Sequence, residues 1–187
     1  MTNDCSQETG SSARVWIGSL LIAGIAAVSL VLIYQPVKIQ GTSMTPLLTD
    51  NDVIVINRLV YHFEPIQRGD VVVFRYPLDA RKSFIKRIVG LPGETVQIRQ
   101  GVVYVNGHWV VEPYIRSQYE DLRDFGPIQV PSGSYFVLGD CRSSSNDSRV
   151  FGTVAGQLIE GRAAFAHWPI DHFGSLSTIG TIEAKAK

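Results

Sequence analysis

Three stretches of this chain carry residue types that could do chemistry together. The first is Phe84-Ile85-Lys86-Arg87-Ile88-Val89-Gly90, a lysine set inside an apolar run. Side chains alternate faces along a β-strand, so Phe84, Lys86 and Ile88 share one face and Arg87 points the other way with Ile85 and Val89. On this reading one cation sits in water and the other between two hydrophobes. Burying an ammonium lowers its pKa, and an amine that is neutral at working pH is a general base. The same run also fits a lysine whose stem lies on apolar surface while its head reaches water. The second stretch is Gly41-Thr42-Ser43-Met44-Thr45-Pro46. Serine becomes a nucleophile only when a neighbouring base takes its proton; histidine is the usual base, and a neutral lysine can replace it. Without such a base, Ser43 reads as a turn or helix-cap serine before Pro46. The third stretch, Gly139-Asp140-Cys141-Arg142-Ser143-Ser144-Ser145-Asn146-Asp147-Ser148-Arg149, is dense in hydroxyls and alternating charges. A hydroxyl there could bond a lysine amine and aim its lone pair at Ser43, while Asp147 and Arg149 pair and stiffen the loop. The alternatives are a solvated polar loop or a metal-binding turn, and two aspartates are few for Ca²⁺.

These stretches need a scaffold, and the sequence around them reads as β-structure. Strand-like runs are Val53–Ile56, Asp70–Tyr76, Ser83–Val89, Glu94–Ile98, Val102–Val105, His108–Val111, Ser134–Leu138 and Arg162–Trp168. β-Branched and aromatic residues fill them, and turn residues separate them. Asn106-Gly107 between two such runs is a two-residue hairpin signal, and Gln100-Gly101 marks a second turn. Residues 112–131 are polar, carry three prolines and read as an exposed loop. Short helical pieces fit within Leu47–Leu59 and Val154–Glu160. The last eleven residues, from Ser177, read as loosely ordered.

The chain has 187 residues, 45% hydrophobic and 18% charged, with a formal net charge of zero. Zero net charge argues against a nucleic-acid binder. Much of the apolar excess lies in Val15–Tyr34, twenty residues without a charge. At about 1.5 Å per residue such a helix spans the ~30 Å bilayer core, with Trp16 and Tyr34 near its ends as interface aromatics. The run is long for a cleaved signal peptide and too uniform for an amphipathic core helix. Nearby lysines and arginines are almost balanced on its two sides, so charge does not set the topology. Cys5 and Cys141 flank this helix and would lie on opposite sides of a bilayer, so no disulfide framework is read. His62, His108, His167 and His172 are scattered, without metal-ligand spacing, and neither metal nor cofactor is expected.

Taken together and in order, these segments resemble the bacterial type I signal peptidases, the membrane-bound serine-lysine proteases. Gly-Thr-Ser-Met-Thr-Pro is similar to the family's serine motif, and Arg68-Gly69-Asp70-Val71-Val72-Val73-Phe74 to its RGD strand. Phe84 to Glu94 is similar to its lysine motif and Gly139 to Arg149 to its G-D-x-R-x-x-S-x-D-S-R motif. The resemblance covers about residues 15–170, beginning with the anchor. It implies Ser43 as nucleophile, Lys86 as general base and Ser145 as the hydroxyl that orients the lysine. It implies Asp147 and Arg149 as a structural ion pair, with Asp140 and Arg142 shaping the same loop.

The resemblance further implies cleavage of signal peptides after small-x-small sites, of Ala-x-Ala type, on the outer face of the plasma membrane. The substrate would lie extended between Pro36–Thr42 and Ser83–Lys86, touching Ile39, Gln40, Gly41, Phe84 and Ile85, as strand addition to a sheet edge. Expected partners are signal peptides, membrane lipid and, by proximity, the secretion translocon. Two departures are visible. Gly41 stands where many members carry a serine that donates to the oxyanion, which leaves the Ser43 backbone N–H, with another backbone or water donor open beside it. Cys141 stands in place of the usual asparagine and is expected to be structural.

The expected architecture is mainly β: a tail over 1–14, a transmembrane helix over 15–34, an antiparallel catalytic domain over 35–176 with a small second lobe near 94–134, and a tail over 177–187. Trp168, Phe165 and Phe173 fit either lipid contact or core packing. A self-cleaving repressor-type serine-lysine protease would share the dyad, but it should carry a DNA-binding helical domain where this chain has an apolar helix. A membrane-anchored binding protein with a dead site should lack Ser43 or Lys86, and both are present.

Overall fold

Two hairpins show how local sequence sets this fold. Asn106 and Gly107 both have positive φ, 52° and 80°, and so do Gln100 and Gly101, at 46° and 81°. Two consecutive left-handed residues give the tight turn whose twist matches paired strands. The first turn joins β6 (Val102–Val105) to β7 (His108–Trp109), and the second joins β5 (Thr95–Arg99) to β6. The computed structural model describes residues 8–168 and 174–175. The expectations for the tail from Ser177, for Phe173 and for the Phe165 and Trp168 side chains lie outside the described residues.

The remaining strands are β1 (Tyr34–Lys38), β2 (Val53–Asn57), β3 (Val71–Tyr76), β4 (Asp79–Gly90), β8 (Phe125–Gln129), β9 (Ser134–Leu138), β10 (Val154–Ala155), β11 (Ile159–Trp168) and β12 (Gly174–Ser175). They form an eight-stranded sheet ordered β1-β2-β11-β3-β4-β9-β10, with β12 against β11, and a four-stranded sheet ordered β7-β6-β5-β8. Every described pairing is antiparallel. The protein is therefore mainly β, as expected. Helix α1 (Glu8–Ile33) precedes the sheets, and α2 (Val60–Phe63) and α3 (Ser148–Phe151) are single turns. Among the described residues no helix is long and apolar enough to cross a membrane.

Strand β3 reads as a continuous apolar run because both its faces are covered. Val71 and Val73 pack with Ile39, Met44, Leu48, Ile54 and Ile85. Val72 and Phe74 pack with Ile88, Val137 and Val154 on the other face. A third core, around Val89, Val96, Val103, Phe136 and Leu138, joins the end of β4 to the four-stranded sheet.

Two expectations need correction. The stretch 112–131 is not one exposed loop. Residues Phe125–Gln129 form β8 and pair with β5, while Tyr114 and Val130 are buried in the third core. Polarity and prolines hid a strand held by only three register pairs. Arg87, assigned to water by alternation, is fully buried. Its face of β4 is covered rather than solvated, and a carboxylate meets it there, as a buried cation requires.

Candidate active site

Ser43 follows β1 on a turn built by its neighbours. Gly41 holds φ +98°, a region costly for residues with a Cβ, and its N–H donates to Asp50 Oδ1 at 2.8 Å. Met44 and Leu48 are buried and pin the turn into the core, with Leu48 N–H donating to Met44 O at 2.9 Å. From the other side, Cys141 N–H donates to Ser43 O at 3.0 Å. Ser43 is thus fixed through its own carbonyl as well as through its neighbours.

Lys86 comes from the middle of β4, opposite Val72 of β3. Its Nζ lies 2.7 Å from Ser43 Oγ, donates to Ile85 O at 2.8 Å, and stands 5.4 Å from the centre of the Phe84 ring. The residue is only 4% exposed. That burial pulls its pKa from the ordinary 10.5 down to about 8, against the opposing pull of the Asp147 and Asp140 carboxylates. When the amine is neutral its lone pair can accept the Ser43 proton across this contact, which is nucleophile and base in reach of each other.

The polar segment folds over the pair. Gly139 N–H donates to Asp147 Oδ2 at 3.1 Å, and Arg142 Nε donates to Gly139 O at 3.0 Å. Arg149 forks onto Asp147, with Nε to Oδ1 at 2.9 Å and Nη2 to Oδ2 at 2.8 Å, and its Nη2 also donates to Arg142 O at 2.8 Å. Asp147 caps α3 by accepting from Arg149 N–H. A Cβ on Gly139 would lie 2.2 Å from Ser145 Oγ and 2.6 Å from Ser43 O, so only glycine lets this loop lie against the serine turn. Ser145 Oγ is buried and has no hydrogen-bond partner among the described residues; the amine bonds Ile85 O instead.

The partners of this loop were not visible in the sequence. Asp140 takes two hydrogen bonds from Arg87, at 2.9 and 2.6 Å, with both side chains 1% exposed. Arg87 also donates to Gly69 O at 2.9 Å and stacks on Tyr114 at 4.0 Å. Arg142 pairs with Glu112, and Arg149 with Asp121. Pairs 28 and 30 residues apart leave no local signal.

A groove of about 420 Å³ opens onto Ser43 and Lys86. One wall is Val37–Thr42, the other Ser83–Ile85, with Ser144 and Asn146 above. The sequence named Ile39, Gln40, Gly41, Phe84 and Ile85 for these walls, and all five line the groove. Ser144 and Asn146 were missed, although they flank Ser145 in the same motif. Part of each wall is an open sheet edge: Val37 and Lys38 belong to β1, while 39–42 lie outside any strand. β1 is terminal in its sheet, and β4 pairs with β9 only from Arg87 to Gly90, which leaves Ser83–Lys86 without a strand on that side among the described residues. Ile39 spends its N–H on Asp52 O and its C=O on Asn51 N–H, so its main chain serves the fold. Among the described residues no cluster of His, Cys, Asp and Glu could hold a metal ion.

Comparison with known proteins identifies the family. The model of the family described as signal peptidase, peptidase S26, matches residues 13–168. Signal peptidase I of Leptolyngbya laminosa is 43% identical over 146 residues, 74% of this chain and 70% of that protein. Signal peptidase I of Bacillus licheniformis is 32% identical over 181 residues, 91% of this chain and 97% of that protein. The crystal structure of a signal peptidase I from Enterococcus faecalis matches with 35% identity and a TM-score of 0.48, covering 54% of this chain and 98% of that one. With its family model matched across nearly the whole described chain, this protein belongs to the signal peptidase family, peptidase S26.

Proposed function

We propose that Ser43 and Lys86 are the catalytic pair with which this serine endopeptidase removes signal peptides from preproteins. The observation that carries the assignment is the 2.7 Å contact between a buried amine and a serine hydroxyl at the floor of a groove. Neutral Lys86 takes the Ser43 proton as Oγ bonds the scissile carbonyl carbon. The C–N bond then breaks and protonated Lys86 returns the proton to the leaving amine. A water molecule, deprotonated by the same amine, attacks the acyl-enzyme and frees the carboxyl product and Ser43. The oxyanion is held by the Ser43 backbone N–H. Gly41 has no side chain to add, and its own N–H is committed to Asp50. Ser145 orients the amine: its buried hydroxyl, bonded to no described residue, is available once Lys86 gives up Ile85 O. The Asp147–Arg149 pair holds the loop, and Asp140 and Arg142 shape it through Arg87 and Glu112 respectively.

The signal peptide enters as an extended strand between the two open edges. Gln40, Gly41, Phe84 and Ile85 supply its surroundings, Ile39 contributes a buried side chain, and small residues flank the cleaved bond. The uncharged sequence run Val15 to Tyr34 serves as the single membrane anchor in this reading. Trp16, Leu20, Leu21, Ile22 and Ile25 are exposed on it. The β-domain then works on the outer face of the plasma membrane, beside lipid and the translocon, where proximity to its substrates' own apolar segments raises their local concentration. Residues 35–176 are the catalytic domain, with 94–134 as its smaller lobe. Purified full-length protein with a preprotein tests the pair: Ser43→Ala, Lys86→Ala and Lys86→Arg should each abolish cleavage, and retained cleavage by any of them refutes the assignment. Extraction of membranes with alkaline carbonate tests the anchor; release of the chain into the supernatant refutes it.

A further inference from the structure

We infer that Glu112 and Asp121 are positioning residues for the catalytic pair, acting as an acidic strap from the smaller sheet across the outer side of the Gly139–Arg149 loop. The inference rests on Ser43 and Lys86 being that pair.

Both residues lie on the segment that links β7 to β8. Glu112 receives both terminal nitrogens of Arg142, one of them at 2.9 Å, and its side chain is only 9% exposed. Tyr114 OH donates to Glu112 Oε1 at 2.6 Å and so fixes the carboxylate from the third core. Asp121 receives Arg149 Nη1 at 2.8 Å, with its side chain 8% exposed. Arg142 and Arg149 in turn close the loop, through Gly139 O, Arg142 O and Asp147. The loop's Cys141 N–H then holds Ser43 O, and its Asp140 clamps Arg87, the residue after Lys86. Through the covalent Cys141–Arg142 step, Glu112 is two non-covalent links from Ser43, and Asp121 is three. A buried arginine that loses its carboxylate must recruit water or move, because an uncompensated buried cation is costly. Either response shifts the loop off the serine turn and admits water to Lys86. Arg149 has Asp147 as well, so the Glu112 link carries more of the load than the Asp121 link.

The test uses full-length protein in detergent, a preprotein substrate, and Glu112→Gln, Asp121→Asn, the exposed Glu120→Gln as surface control, and Ser43→Ala. Circular dichroism establishes that each variant is folded. Glu112→Gln should lower kcat by at least about tenfold with KM within about twofold. The midpoint of its pH–rate profile should rise by about half a pH unit or more, because water at Lys86 restores the amine's affinity for a proton. Asp121→Asn should do the same to a smaller extent, and Glu120→Gln should match the wild type. An unchanged kcat in Glu112→Gln overturns the strap. A lowered kcat with an unmoved pH midpoint also overturns it, since that is a loss of active molecules only. If Glu112→Gln does not fold, Asp121→Asn decides by the same two criteria. Cleavage retained by Ser43→Ala would instead refute the catalytic assignment beneath it.

Discussion

The cost of burying the Lys86 amine can be measured as stability against pH. Its amine is pulled from 10.5 to about 8 by burial. At about 1.4 kcal/mol per pH unit, that gap is worth about 3 kcal/mol. Below pH 8 both folded and unfolded chains carry the proton, and the folded chain bears the full cost. Between pH 8 and 10.5 the unfolded chain binds the proton while the folded chain does not, so stability rises with pH. By pH 10 less than about 1 kcal/mol of the cost is left. Replacing Lys86 by Met keeps the apolar stem and removes the titration. The hydrogen bonds lost to Ile85 O and Ser43 change the stability of the variant, but nearly equally at every pH. The difference between wild type and Lys86→Met should therefore shift by about 2.5 kcal/mol in favour of wild type from pH 7 to pH 10. Urea unfolding of the full chain in detergent, followed by far-ultraviolet circular dichroism, reads this directly. A difference that stays flat over that range would show that Lys86 is not desolvated, and the general-base reasoning would fall with it.

Other outcomes follow from the same geometry. The kcat/KM of the wild type should rise about tenfold per pH unit below about 8 and level off above it, because the free enzyme must hold a neutral amine; a rate independent of pH between 6 and 9 on this scale contradicts Lys86 as base. Asp140→Ala leaves Arg87 charged and fully buried, and should cost about 3–5 kcal/mol in urea unfolding. Gly139→Ala forces a Cβ against Ser43 O and Ser145 Oγ, and should remove most preprotein cleavage while circular dichroism still reports a folded β-domain. Cys141→Ala should keep at least half the wild-type rate, since the residue holds Ser43 through its backbone N–H and not its thiol; a loss of cleavage in a folded variant would make the side chain functional.

The parts of this fold legible in sequence were those with local causes. Asn106-Gly107 and Gln100-Gly101 announced their hairpins because positive φ belongs to a few residue types. The lysine was legible because period-two alternation placed it between Phe84 and Ile88. The same rule failed one residue later: alternation says that Arg87 faces away from Lys86, but not whether that face meets water or a second layer. Its cover, Asp140 and Tyr114, arrives from distant parts of the chain. Strand β8 escaped for a related reason. Phe125-Gly126-Pro127-Ile128-Gln129 has weak strand propensity, and tertiary pairing with β5 overrides it. Glu112 and Asp121 looked like ordinary surface acids, since nothing nearby in sequence reveals the arginines they meet.

The two facing edges of the groove have a consequence for what the enzyme leaves uncut. A bare sheet edge is an invitation to any strand, including one from another folded protein, and lone edges commonly drive unwanted association. On the proposed strand-addition mode the guest lies between the two walls of the groove and is bonded on both sides at once. A strand already inside a folded sheet brings a neighbour about 4.8 Å behind it, and that neighbour would collide with the opposite wall. Only a solitary, unfolded segment fits. On that proposal the architecture screens for foldedness before any side-chain pocket reads the sequence, and finished proteins that happen to contain a suitable site are spared.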